Sequence, residues 1–470
     1  MRSFIRKINF RRKLMLNLIS LVIFLSLLSY TKAEIGTNPN SDTLIQTMRI
    51  ITPTTLMASS TGGLQPIVTE TGKISWSIDA LGTNYPPATI QVNKPVGASV
   101  RKAFLVATST GFTEYQITNS DITLNGNTII WDLEIYNSIY SYNYWADVTS
   151  IVKPIIDAYP AGINNIIINE ANPHYIDGVG LIVIFDDPNQ IVDNTIILAF
   201  GAQNVAGDTF AIGLADPIDK SLPGFQLDMS IGISYGYQTT SWSTGQYSQI
   251  DINGNKLTTS AGGQDDGAGE NGALITLGGI DDSNANPGDP YVRDSSPTYD
   301  DELYDLIPFV NNGDTSINVY TLNPSTDDNI FFAGFFLGST TAIAGQGILL
   351  SPTIATNLLG EEHTLTASLR DVTGAPIVGV VVSFEIVSGP NSGLTGTAIT
   401  DSEGKAYFSY VGNTPGIDEI RASFYDSQQS LIESNHVTKE WTEYKIPEFT
   451  TISILLAILG VFIFFVLRKR

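Results

Sequence analysis

The chain has 470 residues, of which 47 are acidic and 24 basic, with three histidines and no cysteine. Without cysteine there can be no disulfide, thiol nucleophile or cysteine–zinc site, and His174, His363 and His436 lie too far apart in sequence to point to a histidine-rich metal centre. Setting aside the seven basic residues of 1–33 and the terminal Arg468-Lys469-Arg470, residues 34–467 hold 14 basic against 47 acidic groups, a formal net charge of −33. Such a surface repels nucleic acid and anionic lipid, and attracts divalent cations and basic partners.

The amino end carries Arg2, Arg6, Lys7, Arg11, Arg12 and Lys13 ahead of an apolar stretch from Leu14 to Leu28. Thr31-Lys32-Ala33 puts small residues three and one before a cut. This is the order of an export signal over 1–33 with cleavage after Ala33, an uncleaved anchor helix being the alternative. Residues 34–65 are polar and weakly patterned, and read as a lead-in segment.

Residues 66–345 read as β throughout. Alternating or short apolar runs, including Ala103–Thr108, Ile129–Ile135, Ile166–Asn169, Val179–Phe185, Ile196–Phe200, Ala273–Leu277, Ile317–Thr321 and Ile330–Leu337, are separated by Gly, Asn, Asp and Pro turns. Asn125-Gly126 and Asn253-Gly254 are two-residue hairpin signals. One short helix is expected near Val148–Tyr159, broken or ended by Pro154. The region is too long for one ordinary sandwich. It is expected to be a large sandwich or jelly-roll-like module with a seam near 186–189, or two halves sharing one extended sheet system.

Residues 346–440 change character. Leu365, Ala367 and Leu369 alternate with Thr364, Thr366 and Ser368, and the same period recurs at Val382, Phe384 and Ile386, at Ala406, Phe408 and Tyr410, and at Ile420, Ala422 and Phe424. About seven short strands at this spacing predict an Ig-like sandwich. Residues 441–446 form a short tether. Over 447–470, Pro447-Glu448-Phe449 precedes the apolar run Ile452–Leu467 and the basic tip. That run is long enough to cross a hydrocarbon core of roughly 30 Å as one transmembrane helix, with its basic end on the cytoplasmic side. The fold class is therefore all-β with one C-terminal membrane helix.

Chemistry-bearing clusters are few. Asp282, Asn284 and Asn286, in the loop Asp281–Asp289, have the oxygen ligands and spacing that Ca²⁺ prefers, with Asp265, Asp266, Asp300, Asp301 and Glu302 as further ligands. The loop is not an EF-hand, because Arg293 stands where a bidentate Glu would be required, and the same residues also suit a solvated turn. His174 is the one histidine of residues 66–345 and, within Asn172-Pro173-His174-Tyr175, reads as a loop histidine. Carboxylate pairs for glycoside hydrolysis are too easily found among 47 acids to mean anything. Tyr136, Tyr140, Tyr142, Tyr144 and Trp145 form a dense aromatic cluster, and Tyr235, Tyr237 and Trp242 a looser one. Packing is the expected role of both, and stacking on sugars the alternative.

Three segments carry resemblances. The tail, Pro447-Glu448-Phe449 with its apolar run and basic end, resembles the archaeal PEF-CTERM sorting signal. That resemblance implies recognition and cutting by an archaeosortase, attachment to lipid, and no catalytic role for these three residues; a plain membrane anchor is the alternative. Residues 350–425, through His363–Arg370, Gly374–Ile386 and Thr400–Ala406, resemble the bacterial Ig-like domain of the invasin/intimin group, which implies an extracellular spacer or adhesin stalk. Residues 70–340 look like a module of microbial surface proteins, through Ala146–Val152, Gly180–Pro188 and Asp300–Asp305 with Gly313–Ser316. The expectation is a non-enzymatic, surface-anchored structural or adhesion protein. A calcium-dependent module for a surface glycan or protein is one alternative, and a hydrolase of envelope polymers another.

Overall fold

The computed structural model describes residues 63–236, 247–262, 266–267, 272–292, 302–371, 374–427 and 429–443. The expected export signal with Ala33, the lead-in up to residue 62, and the sorting segment with Pro447, Glu448 and Phe449 lie outside the described residues. Among the described residues, no helix is long and apolar enough to cross a membrane.

The first ten strands are β1 (Gln65–Gly72), β2 (Ile74–Leu81), β3 (Ala88–Lys94), β4 (Ser99–Ser109), β5 (Ile122–Leu124), β6 (Asn127–Thr128), β7 (Leu133–Tyr136), β8 (Tyr142–Asp147), β9 (Gly162–Glu170) and β10 (Ile176–Asp186). Helix α1 (Thr149–Ala158) lies between β8 and β9. The next ten are β11 (Asn194–Phe200), β12 (Asp208–Leu214), β13 (Gln226–Ser234), β14 (Gln249–Ile252), β15 (Asn255–Thr258), β16 (Thr276–Leu277), β17 (Leu303–Asp305), β18 (Ser316–Leu322), β19 (Asn329–Gly338) and β20 (Ala342–Ala344). They build four sheets: β3-β9-β5-β6; β2-β10-β4-β8-β7; β1-β11-β19-β13-β16 with β17 beside β13; and β15-β14-β18-β12-β20.

Three apolar layers stack these sheets in that order. Ile90, Val92, Ile166 and Ile168 of the first sheet meet Leu105, Ala107, Leu181 and Val183 of the second. Phe104, Val106, Ile182 and Ile184, on the other face of the second sheet, meet Ile196, Leu198, Phe332 and Phe336 of the third. Met229, Ile231 and Phe335 of the third meet Ile212, Ile250 and Val319 of the fourth. The middle strands are therefore apolar on both faces, and all ten residues of β19 are buried. The chain passes between the two pairs of sheets after Asp186, but β1 crosses back to pair with β11. The central layer joins both halves into one four-sheet system, larger than one ordinary sandwich. A buried polar chain crosses the same boundary: Asn137 Nδ2 donates to Asn143 Oδ1 at 3.0 Å, and Asn143 Nδ2 to Asn329 Oδ1 at 3.0 Å and to the Gly201 carbonyl at 2.8 Å.

Helix α1 runs through Pro154 rather than stopping there. Pro154 sits on the exposed face, whereas Val152 and Ile156 are buried under the first layer. The end of the helix is held by Lys94 Nζ, which donates to the carbonyls of Ile156, Asp157 and Tyr159 at 2.9–3.0 Å. Tertiary packing thus outweighs the local cost of the proline. Both hairpin signals hold, with Asn125-Gly126 at φ +46° and +77° and Asn253-Gly254 at +50° and +76°. Left-handed values at two successive positions are what an Asn-Gly hairpin turn requires.

The last nine strands are β21 (Gly347–Ser351), β22 (Ile354–Leu358), β23 (Glu362–Arg370), β24 (Val381–Ser388), β25 (Thr395–Ile399), β26 (Lys405–Val411), β27 (Gly416–Tyr425), β28 (Leu431–Glu433) and β29 (Val437–Thr442). They form the two-sheet sandwich expected of an Ig-like domain, with orders β21-β23-β26 and β22-β29-β27-β24-β25, β28 lying beside β27. The inward positions are those the alternation marks, Leu365, Ala367, Leu369, Val382, Phe384, Ile386, Ala406, Tyr410, Ile420, Ala422 and Phe424. β22 and β29 run parallel, so the first strand of the second sheet lies against the last.

Candidate functional site

The loop singled out for calcium lies along β13 and β17, and its polar side chains are engaged in fixing it there. Asp282 accepts the Gly279 N–H. Asn284 Nδ2 donates to Asp228 Oδ1 at 3.0 Å. Asn286 clamps the backbone of Asp305, donating to its carbonyl at 2.7 Å and accepting its N–H at 3.0 Å. Asp282, Asn284 and Asn286 thus each bond a different part of the surrounding chain. Glu302, one of the further ligands considered, is fully buried and accepts from Thr276 Oγ1. Asp265, Asp300 and Asp301 lie outside the described residues.

A different set converges beside this loop. One carboxylate oxygen from each of Asp79, Asp266 and Asp281 lies within 4.8 Å of the others. Asp79 comes from β2, Asp266 from the segment after β15, and Asp281 from the start of the loop. Asp79 is buried, 6% exposed, while Asp266 is half-buried and Asp281 exposed, so the group opens to solvent on one side. Burial pushes the Asp79 carboxyl up to about 7; the Gln91 N–H it accepts opposes this, and the Asp281 charge adds to it. Asp266 accepts the Leu277 N–H at 2.6 Å, and its own carbonyl accepts the Gly82 N–H at 2.7 Å, which fixes the segment against the sheet. Three carboxylates at this separation match the hard oxygen donors a Ca²⁺ ion takes. Asp266 and Asp281 stood in the sequence reading, but nothing local marked Asp79, because it reaches the cluster through the fold of a distant strand.

The aromatic cluster divides. Tyr144 and Trp145 are buried on opposite faces of β8, in the first and central layers. Tyr136 and Tyr140 are half exposed, at 49% and 55%. Tyr140 joins Phe112 (ring centroids 6.3 Å apart), which meets Tyr235 edge-on at 5.5 Å. These three residues and Glu114 all have left-handed backbones, with φ of +53° to +63°. Side chains at such φ values are held there by their surroundings, here partly by the Phe112 N–H bond to the Ile139 carbonyl and the Glu114 N–H bond to the Tyr140 carbonyl. Tyr237 and Trp242 lie outside the described residues. His174 is exposed in a short 3-10 turn.

Two buried carboxyls were not anticipated. Glu170 is 2% exposed, with neither carboxylate oxygen hydrogen-bonded, and burial followed by the Asp177 charge pushes it up to about 9. Asp177 is fully buried and is pushed up to about 7 by the same desolvation, which its bond from the Tyr235 N–H (2.9 Å) only partly offsets.

No protein-family profile and no curated protein matches the chain. Among solved structures, it is similar to the PKD domain of an M14-like peptidase from a Thermoplasmatales archaeon (21% identity, TM-score 0.16), which covers 21% of this chain and 94% of that one. It is also similar to the D0-D1 domain of intimin (13% identity, TM-score 0.17), covering 53% of this chain and 90% of that one. A protein of Corynebacterium diphtheriae described as membrane anchored matches at 10% identity and TM-score 0.18, over 82% of this chain and 61% of that one. At these TM-scores none of the three carries an argument about function.

Proposed function

We propose that this is a non-enzymatic cell-surface protein that displays stacked β modules outside a membrane. The observation that carries the reading is the joint between them. β20 ends at Ala344 and β21 begins at Gly347, so only Gly345-Gln346 separate the four-sheet stack from the Ig-like sandwich. Asp216 Oδ2 accepts from both the N–H (3.2 Å) and the Oγ1 (2.6 Å) of Thr353 across the joint. A two-residue connection tied in this way suits a projecting rod better than a hinged enzyme. On this reading the signal cleaved after Ala33 exports the chain. The Ile452–Leu467 run holds it in the membrane, and Pro447, Glu448 and Phe449 are read by an archaeosortase-like processing enzyme. The intact mass of protein purified from native membranes tests it. The expected species begins after Ala33 and ends near 447 with an added lipid. A full-length tail would reduce sorting to simple anchoring, and a soluble protein with both ends intact would contradict the reading.

A second reading, a calcium-dependent module for a carbohydrate or a surface protein, is favoured by the Asp79–Asp266–Asp281 group together with the strained aromatic rim at Phe112, Tyr140 and Tyr235. A glycan array run with calcium and with chelator addresses it, and binding in neither condition removes its carbohydrate form.

A further inference from the structure

Lys439 is an anomaly in the Ig-like sandwich. It points inward from β29 between Val437 and Trp441 and is fully buried. Among the described residues it makes no ion pair; its amine donates to the Asn357 side-chain carbonyl at 2.7 Å and to the Glu440 backbone carbonyl at 3.2 Å. The Trp441 ring centroid stands 4.6 Å from Nζ. A buried ammonium normally faces a carboxylate, because an unpaired buried charge is costly. Here it faces a neutral carboxamide.

Both partners are held. β22 and β29 pair in parallel, with Ala355 opposite Lys439 and Asn357 opposite Trp441, so Asn357 and Lys439 sit diagonally on neighbouring strands. Asn357 Nδ2 donates to the Glu362 carbonyl at 3.1 Å. Asp418, opposite Lys439 on β27 and fully buried, accepts from Trp441 Nε1 at 2.8 Å and from the Tyr410 hydroxyl at 3.0 Å, which fixes the aromatic wall beside the amine. His363, whose buried Nε2 has no hydrogen-bond partner, packs edge-on against Tyr410. Burial pulls the Lys439 amine below its usual value, against the opposing charges of Glu361, Glu440 and Asp418, which raises the share of the nucleophilic neutral form.

We propose that Lys439 and Asn357 join in an intramolecular amide bond that clasps β22 and β29, the first and last strands in chain order of the six-stranded sheet. Neutral Nζ adds to Cγ of Asn357, the carbon that bears the oxygen it already contacts. The Nζ–Cγ bond forms, the Cγ–Nδ2 bond breaks, and Nδ2 leaves as ammonia carrying the proton that Nζ sheds. No oxidant or co-reactant is needed, and the product holds a neutral amide where an unpaired ammonium stood. The bond would lie where the C-terminal tether enters the sandwich. A pull on that tether would then pass from β29 directly to β22 rather than through the hydrogen bonds between them. This purpose rests on the display reading, whereas the bond itself does not.

The test is a tryptic map of the folded full-length protein by mass spectrometry. The expected result is a branched peptide joining the Asn357 segment to Lys439, about 17 Da lighter than the two linear peptides together, with no cleavage after Lys439. Folded Lys439→Arg and Asn357→Ala proteins, checked by circular dichroism, should give linear peptides only. Separate linear peptides carrying Asn357 and Lys439 from folded wild-type protein would overturn the proposal. A linked protein found in the cytosol would overturn the display reading and leave the bond standing.

Discussion

Asp79, Glu170 and Asp177 carry the pH dependence expected of this chain. Each is an acid whose folded-state value lies above its unfolded one, at about 7, 9 and 7. The folded state therefore binds protons more tightly than the unfolded state, and stability falls as pH rises from near 4 toward 9. While one such carboxyl titrates between the two values, the slope approaches about 1.4 kcal/mol per pH unit. A series of melting temperatures from pH 4 to 9 should show the decline, and Glu170→Gln should flatten it in the upper half while changing little near pH 4. If calcium occupies the three-carboxylate group, it binds the deprotonated form. It should then raise the melting temperature at pH 8, where the ion-free protein is weakest, and Asp79→Asn should abolish that rise. A melting temperature indifferent to calcium would remove the cation reading.

Packed elements decide what local sequence rules leave open. Lys94 holds three carbonyls at the end of α1 while its stem is buried, so Lys94→Met should destabilise the large module by about 2–3 kcal/mol in chemical denaturation. In the sandwich, a Cβ on Gly412 would lie 2.3 Å from the Trp441 ring, whereas one on Gly126 would meet nothing within 4 Å. Gly412→Ala should therefore cost about 1–3 kcal/mol through overpacking, and Gly126→Ala only about 1 kcal/mol, from its left-handed backbone. Equal losses at the two sites would mean that the Trp441 contact does not matter.

At the scale of the whole molecule, what could be read from sequence follows from exposure. The Ig-like sandwich was legible because its strands have one wet face, so that Leu365, Ala367 and Leu369 alternate with Thr364, Thr366 and Ser368. The four-layer stack was not, because β10, β11, β13 and β19 are buried on both faces and show no period that assigns them to a sheet. The Asp79 group stayed hidden for a related reason: its members come together only after β2 and the 279–292 loop are stacked. Lys439 and Asn357 were likewise silent, since only the parallel pairing of β22 and β29 makes them neighbours. The central layer also predicts cooperativity. Phe200→Ala, which cuts a ring packed against Trp145 and Phe331, should cost about 3–5 kcal/mol and lower the melting of both halves of the large module together. Independent transitions for the two halves would contradict a shared core. The display reading itself is tested most directly by adding protease to intact native cells. Fragments of residues 63–443 should appear in the medium while a cytosolic marker stays whole. A chain fully protected until the cells are broken open would contradict it.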